Sequence, residues 1–457
     1  MSAAVRIALE KADRGAYNTP IMTRSMVLCW AFILAVTPWA QAMDYAEERQ
    51  VAQEFVDLLE RNNLVIHDEE ITVPVQILLE RLAHRLPNPL YRYRLHVVRD
   101  RSVNAFTIPD GHIFVNLGLL MFARDMDEIA AVIGHEMGHA QLRHIPETLE
   151  TQAKITAATA LGILAGTLLS SKNPEAGAAM IFSSLGGGEN LKLAYSRQHE
   201  FAADEFGAGI LKSSGIDPSA MTRFLARLNA TSGASGVPEY LLTHPLTDKR
   251  VAAIATDAGS PRPDETYLRL QACIFGLLLP AQEASLRSST LPEPYRSLAI
   301  ALVKYRSGDY AGAMALLEGI DLDIARATKG LVLYAMGRSE EAYPLLSSYG
   351  RTASARTAQA EILRGRGRYA EAIELLKPYS GQNPRADYVL GVLYEGMGNQ
   401  ALSHVSFARY FFRSANRSPS LFHIQEALKR RDELPQGVAE ELEKMREALR
   451  QEASERK

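Results

Sequence analysis

Two histidines and a glutamate in the first half of the chain have types and spacing suited to metal chemistry. His135, Glu136 and His139 form the pattern H-E-x-x-H, and the apolar residues 129–133 precede them. On a helix the two imidazoles lie one turn apart on one face, where they can bind one cation, and tetrahedral zinc suits nitrogen ligands. Glu136 is then placed to take a proton from an attacking water. A buried helix whose histidines are only hydrogen-bonded is the alternative that the pattern leaves open.

Such a metal site needs a third protein ligand, and a later polar stretch offers one. Glu200 and Asp204 lie four residues apart and therefore share a helix face. We predict that Glu200 is the third ligand and that Asp204 holds a ligand histidine by a hydrogen bond. His199 competes for this role, but it points about 100° away from Glu200 on a helix. His144 lies five residues after His139, whereas the other common three-histidine pattern requires six, so that pattern is disfavoured.

The segment Thr243–Arg250 carries the last candidate side chains. Pro245 follows His244 and biases it away from helical geometry. His244 could therefore stabilise a developing oxyanion or approach the metal, and Arg250 could orient a carboxylate through two hydrogen bonds. A surface histidine beside a helix-capping turn is the simpler interpretation, and these residues taken alone favour it.

A β-hairpin is predicted upstream of the H-E-x-x-H helix. Pro109–Gly111 is a turn signal inside residues 104–116. The strand that begins with Asn104, Ala105 and Phe106 could offer its edge to an extended substrate, because main-chain hydrogen bonds bind peptides with little sequence preference.

The composition is that of an ordinary globular protein with two or three domains. The chain has 457 residues, of which 47% are hydrophobic and 23% charged. A formal net charge of -3 gives no reason to propose a nucleic-acid partner. Of the two cysteines, Cys29 would be lost with an export signal, which leaves Cys273 without an internal disulfide partner.

Residues 1–42 have the features of an export signal. Arg24 precedes the apolar run 26–36, and Ala40–Ala42 reads as an A-x-A cleavage site. The run is too short to span a bilayer. We predict cleavage after this site, with Met22 or Met26 as the candidate start, and a soluble protein outside the cytoplasmic membrane. An uncleaved anchor is the alternative.

Two segments after His144 are almost wholly apolar or small. They are residues 153–169 and 176–185, and the second ends in Gly186–Gly188. A buried helical hairpin closed by a flexible loop is the simpler interpretation. The alternative is a mobile flap or an element in peripheral contact with a membrane, because an exposed apolar patch usually marks an interaction site.

The second half of the chain repeats one pattern four times. Each copy has a glycine followed five residues later by a small residue, and the glycines are spaced 29, 30 and 31 residues apart, at Gly308, Gly337, Gly367 and Gly398. This pattern is typical of an array of helical hairpins, in which glycine ends one helix and the small residue lets the next pack closely. The period is shorter than the 34 residues usual for tetratricopeptide repeats.

The first half resembles the M48 zinc metallopeptidases. The matching stretches are Asn104–Gly111, His135–His139, Ser196–Asp204 and Thr243–Arg250. With the export signal and the repeats, they resemble a periplasmic group that supports the assembly of outer-membrane β-barrels. The resemblance implies that His135, His139 and Glu200 are zinc ligands. It also implies that Glu136 is the catalytic base and that His244 and Arg250 have roles near the metal.

The predicted fold is mostly α. A zincin-like α+β metallopeptidase domain with a small sheet, residues 43–258, is followed by a linker, residues 259–263. An α-solenoid of tetratricopeptide-like hairpins, residues 264–457, completes the chain.

The predicted function is that of a zinc metalloendopeptidase, with one Zn²⁺ per chain, in the periplasm of a Gram-negative bacterium. The resemblance implies unfolded or partly assembled outer-membrane proteins as substrates, and contact with the barrel assembly machinery through the repeats. The alternative is a chaperone or scaffold whose repeats do the main work and whose metal site is structural or latent.

Overall fold

The computed structural model describes residues 44–151, 195–231, 238–246, 260–350, 352–414 and 416–455, with the single positions 162, 166, 250 and 252. The predicted export signal lies outside these residues. So do the two apolar segments, 153–169 and 176–185, apart from positions 162 and 166. Within the described residues, no helix combines the length and the apolar character needed to cross a membrane.

The N-terminal part, up to residue 252, combines helices with four short strands. Its helices are α1 (Tyr45–Arg61), α2 (Glu69–Ala83), α3 (Leu117–Phe122), α4 (Met126–Gln141), α5 (His144–Thr151), α6 (Arg197–Ser213), α7 (Ser219–Thr231) and α8 (Glu239–Thr243). Its strands are β1 (Val65–Ile66), β2 (Arg94–Val98), β3 (Ala105–Ile108) and β4 (His112–Asn116).

The strands form one mixed sheet in the order β1-β2-β4-β3. Strands β2 and β4 are parallel, whereas the two outer strands pair antiparallel with their neighbours. The predicted hairpin is present, with a short 3₁₀ turn at Pro109–Gly111 in which Asp110 has a positive φ of 62°. Strands β1 and β3 are therefore the two edges of the sheet among the described residues.

The sheet is covered on both faces by apolar side chains of helices. Phe106 and Phe114 stack on one face and meet Phe55 of α1 edge-on. Ile113 and the side chains around it on the other face belong to the core that includes α4. This alternation follows the period of two along a strand, and it fixes α4 against the sheet.

The repeat part, from residue 264 onward, is a succession of antiparallel helices. They are α9 (Glu265–Cys273), extended by a π-helical turn (Ile274–Leu278), α10 (Ala281–Ser288), α11 (Tyr295–Arg306), α12 (Tyr310–Leu317), α13 (Asp323–Ala335), α14 (Ser339–Tyr349), α15 (Ala353–Gly365), α16 (Tyr369–Leu376), α17 (Pro384–Gly396), α18 (Gln400–Arg413), α19 (Arg417–Leu428) and α20 (Val438–Glu455).

The repeated glycines and small residues act as the pattern predicts. Gly308, Gly337, Gly367 and Gly398 follow the ends of α11, α13, α15 and α17, each with φ between 71° and 82°. Glycine adopts this left-handed conformation without a steric penalty, so it ends the helix. The small residues five positions later are buried at 0% to 3% exposure, at Ala313, Ala342, Ala372 and Ser403. The predicted fold class, mostly α with a small sheet and C-terminal helical hairpins, is confirmed.

The two parts share one apolar core and a polar contact. The guanidinium of Arg269 on α9 bonds the Glu70 carboxylate on α2 at 2.5 Å and the Asp323 carboxylate on α13 at 3.0 Å. Tyr349 donates its hydroxyl hydrogen to the other oxygen of Glu70. Since Glu70 is only 11% exposed, α2 is joined to three repeat helices by partly desolvated charges.

Candidate metal centre

Helices α4 and α6 approach each other closely at the H-E-x-x-H pattern. A Cβ atom at Gly138 would lie 3.0 Å from the Cα of Ala203, and one at Gly207 would lie 3.2 Å from the backbone nitrogen of His135. Larger residues at these glycines would push the helices apart. The close crossing brings Glu200, in the first turns of α6, to the side chains of α4.

The three predicted ligands and His244 converge in the interior. One ligand atom from each of His135, His139, Glu200 and His244 lies within 4.8 Å of all the others, and all four residues are buried. Nε2 of His139 is 3.0 Å from Nε2 of His135 and 3.3 Å from Oε1 of Glu200. Nδ1 of His244 is 3.0 Å from the same carboxylate oxygen. Three imidazoles and a carboxylate form a donor set that suits zinc.

Asp204 and Arg250 lie beside this cluster. Oδ1 of Asp204 is 3.0 Å from Nδ1 of His135, the ring nitrogen that faces away from the cluster. Arg250 donates to both oxygens of Asp204 at 2.6 Å and lies 2.7 Å from the carboxylate of Glu200. Burial disfavours the ionised form of Asp204, but hydrogen bonds and charge from Arg250 and His135 outweigh burial and lower the pKa of Asp204 to about 2. Asp204 therefore stays ionised and can orient His135.

Glu136 is the group whose surroundings suit a base. It is fully buried, and neither carboxylate oxygen has a hydrogen-bond partner among the described residues. Burial raises its pKa, although His244 and His135 oppose the shift. For Glu200 burial acts in the same direction, but His244 and His139 outweigh it and hold its pKa below the usual range. The pKa values of the two carboxyl groups are thus shifted in opposite directions: Glu136 is the more basic group, and Glu200 is held as an anion.

His244 lies at the cluster itself, not on the surface. Its Nε2 is 3.4 Å from Oε1 of Glu136, and its ring is fully buried. The main chain turns there because His244 ends α8 with φ -121° and ψ 76°. The surface interpretation, which the residues alone favour, does not describe this side chain. The buried position is the one that the family resemblance implies.

Helix α8 joins His244 to the start of the edge strand β3. The backbone N–H of Tyr240 donates to the carbonyl of Val103 at 3.2 Å, and the side-chain amide of Asn104 donates to Glu239 at 2.9 Å. Ala105 and Phe106 lie on β3, with 0% and 5% of their surface exposed. Their contact with a substrate stays a prediction.

Sequence reasoning did not predict the contacts of three side chains that pack on the cluster. Tyr195 stacks on His139 with 3.7 Å between ring centres, and Tyr240 stacks on His244 with 4.5 Å. His144, disfavoured as a ligand, places its Nδ1 2.9 Å from Nδ1 of His139. The one available signal was spacing, since Tyr240 precedes His244 by four residues and shares its face on a helical turn.

His199, the competing ligand, lies outside the cluster. Its ring stacks on that of His144 with 4.3 Å between centres, and its Nε2 faces Glu147 at 3.5 Å. The 100° offset between neighbouring helix positions accounts for this, because Glu200 is the residue that faces α4.

Known proteins match the part of the chain that carries this cluster. Residues 72–258 match the family model described as peptidase family M48. A putative beta-barrel assembly-enhancing protease of Vibrio cholerae serotype O1 is 33% identical over 198 residues, which cover 43% of this chain and 41% of that protein. The beta-barrel assembly-enhancing protease of Yersinia pestis is 29% identical over 287 residues, 61% of this chain and 58% of that protein.

A more distant relative comes from a mitochondrion. The mitochondrial metalloendopeptidase OMA1 of Schizosaccharomyces pombe is 31% identical over 164 residues, 36% of this chain and 46% of that protein. The chain therefore spans between 41% and 58% of the length of these three relatives. The stretch shared with a family model contains the whole ligand cluster and Glu136, and residues 72–258 of this chain are a domain of peptidase family M48.

Proposed function

We propose that the protein is a zinc-dependent endopeptidase that cleaves unfolded polypeptides. The observation that carries this proposal is the buried cluster of His135, His139 and Glu200 beside the carboxylate of Glu136, which accepts no hydrogen bond from the described residues. A buried carboxylate without hydrogen bonds is costly, and a role as base on a water at this site accounts for it. The relatives named as metalloendopeptidases support the same reaction.

Glu136 is the residue to which we assign the proton transfers. When bound, zinc would polarise the scissile carbonyl and increase the acidity of the attacking water. Glu136 accepts the proton of that water and donates it to the nitrogen of the departing amine, so that it ends the cycle as it began. Its raised pKa suits both transfers, because a strongly acidic carboxylate would be a poor base.

Asp204 and Arg250 act by holding the ligands in place. Arg250 fixes the carboxylates of Glu200 and Asp204 relative to each other, and Asp204 orients His135. Edge strand β3 would hold the substrate extended through main-chain hydrogen bonds. The names of the bacterial relatives point to outer-membrane proteins, and we propose unfolded or partly assembled ones as substrates in the periplasm.

His244 keeps the enzyme latent in this proposal. Its ring lies against both Glu136 and Glu200, where the substrate and its attacking water would be expected. A latent enzyme could also assist barrel assembly through its repeats while the site is closed, which gives the chaperone role a physical basis. Three protein ligands would leave a fourth coordination position of the zinc open to water, and His244 lies where it would close that position. The closeness of His244 to Glu136 and Glu200 is thus the observation that favours a second, non-proteolytic function.

Replacing Glu136 tests the reaction. The full chain, loaded with zinc, is incubated with a urea-unfolded outer-membrane β-barrel protein, and fragments are followed by mass spectrometry. We expect the wild type to cut and Glu136→Gln to retain zinc but lose cutting by at least about a hundredfold. Undiminished cutting by a zinc-loaded Glu136→Gln variant would refute the assignment.

Replacing His244 separates latency from direct catalysis. If His244 closes the site, His244→Ala cuts faster than the wild type. If it instead stabilises an oxyanion, the variant loses roughly a hundredfold or more in rate. Leu242→Ala is the matched control, because Leu242 lies on α8 but is 52% exposed.

A further inference from the structure

A cleft separates the sheet from the repeat helices on the side away from β3. It has a volume of about 450 Å³, within the range of ligand sites. One wall consists of β1, β2 and the exposed face of α2, and the other is the loop 378–383 between α16 and α17. Edge strands β1 and β3 lie at opposite ends of the four-stranded sheet, so this cleft is distinct from the metal centre.

Strand β1 lines this cleft, where Val65 and Ile66 keep 5% and 2% of their surface exposed. The N–H of Arg99 donates to the carbonyl of Leu64, and Ile66 pairs with Val97, so Leu64 and Ile66 point their backbone groups towards β2. By strand alternation, the backbone groups of Val65 and His67 point the other way. Among the described residues, no backbone group pairs with this outer edge. Such an edge can bind an extended chain by adding a strand.

The side chains around the cleft are of mixed character. Glu60 accepts from His67 at 2.8 Å and lies 3.4 Å from Arg413. Glu69 accepts from the backbone N–H of Ala353 at 3.0 Å, so these charged groups already have partners. Val73 contributes an apolar rim that is 44% exposed, and Gln382 contributes an exposed amide from the repeat loop. A site for a phosphate or another small anion would offer unpaired positive charge. Paired charges, amides and apolar surface suit a polypeptide with side chains of several kinds.

We propose that this cleft is a second binding site for an extended segment of the unfolded protein substrate, held by the edge of β1 between the sheet and loop 378–383. This second site rests on the proposed peptidase function, and it would explain how the protein substrate is retained during cleavage. A long chain bound in the cleft raises the effective concentration of its other segments at the metal centre. The repeats thus form one wall of the substrate path.

Peptide binding tests the cleft without any cleavage. The probe is a fluorescein-labelled, uncharged peptide of about ten residues with alternating apolar and polar side chains, long enough to extend along the edge. Fluorescence anisotropy measures its affinity for the full chain carrying Glu136→Gln. We expect Val73→Asp or Gln382→Trp, added singly, to weaken binding about tenfold, since one buries a charge and the other fills the cleft. Ile77→Asp is the matched control, one turn further along α2 and 57% exposed.

Cleavage kinetics give the second measurement. In the background with an intact Glu136, the two cleft variants should raise KM for an unfolded barrel protein about tenfold and leave the cleavage of a short peptide unchanged. Unchanged peptide affinity in both variants, or an equal loss in Ile77→Asp, overturns the proposal. Altered self-association of the cleft variants in sedimentation, with unchanged peptide affinity, would assign the cleft to a second copy of the chain and also overturn it.

The two proposals can fail separately. If the wild type cuts no protein while the peptide still binds in the cleft, the peptidase function fails and the binding site stands. If the wild type cuts the unfolded protein and the cleft variants leave affinity and KM unchanged, the binding site fails and the peptidase function stands.

Discussion

The contact between His144 and His139 leads to a prediction about metal affinity. Nε2 of His139 faces the ligand cluster, so a neutral His139 that binds metal carries its proton on Nδ1. That proton is donated to Nδ1 of His144 at 2.9 Å, which requires His144 to carry its own proton on Nε2. Burial lowers the pKa of His144 to about 4, and its neutral form is the one that can accept. We expect His144→Ala to weaken zinc binding.

The size of the effect follows from the burial of the pair. His144 is 4% exposed and His139 is fully buried, so removing the acceptor leaves an N–H group without a partner in the interior. An unsatisfied buried donor costs about 1–3 kcal/mol, and loss of a group that orients a ligand typically costs about 10- to 100-fold in metal affinity. We therefore expect the zinc Kd to rise by about one to two orders of magnitude.

Competition with a chromophoric chelator measures this Kd at neutral pH. His199→Ala is the matched control, because His199 stacks on His144 and is not itself in the ligand cluster. His144→Gln keeps an acceptor and should recover part of the affinity. An unchanged zinc Kd in His144→Ala, with unaltered circular dichroism, would show that the ring of His139 is held by its packing alone.

Three further predictions concern the repeat part and its junction with helix α2. Burial raises the pKa of Asp387 to about 6, so the folded state binds this proton more tightly than the unfolded state and stability falls as the pH rises from about 4 to 7. In urea titrations, Asp387→Asn should gain about 3 kcal/mol relative to the wild type over that interval, and a difference that is independent of pH would contradict this. Ala372→Leu should lower the unfolding free energy by about 1–3 kcal/mol because Ala372 is fully buried, whereas the exposed Ala370→Leu on the same helix should have little effect. Arg269→Met should destabilise the protein by about 3–5 kcal/mol in the same assay, because it leaves the largely buried Glu70 carboxylate without its cationic partner. Equal stability would show that the apolar core alone joins the two parts.

Local patterns in the sequence predict the parts of this protein that local geometry determines. His135 and His139 are four residues apart, and helical geometry alone places them on one face. Gly337 and Gly367 each end a helix because a positive φ suits glycine, so the hairpin array could be predicted from their spacing. Glu200 could be predicted as a ligand only because a metal site with two upstream histidines required a third ligand.

Packing between distant segments could not be predicted in this way. His244 and His135 are 109 residues apart, and nothing in the intervening sequence fixes the 3.3 Å between Nδ1 of His244 and Nε2 of His135. The stacking of Tyr195 on His139 has the same origin, since it depends on where the chain returns to the cluster. The cleft beside β1 depends on a repeat loop more than 300 residues further along the chain.

Under the proposed function, helix α8 would connect substrate binding on β3 with the closure of the metal centre by His244. Asn104 accepts a hydrogen bond from Asn116 across the β3–β4 pair, so the backbone groups of Val103 and Ala105 point to the free side of the edge strand. The carbonyl of Val103 already accepts from the N–H of Tyr240, whose ring stacks on His244. A substrate that extends along the edge must compete with α8 for this carbonyl, and displacing α8 also moves the residue that carries the closing imidazole. Coupling between substrate binding on β3 and the position of His244 is reciprocal. The His244→Ala variant should therefore bind extended substrate more tightly as well as cut it faster. Faster cutting by His244→Ala with an unchanged KM would mean that the edge strand and the fourth position act independently.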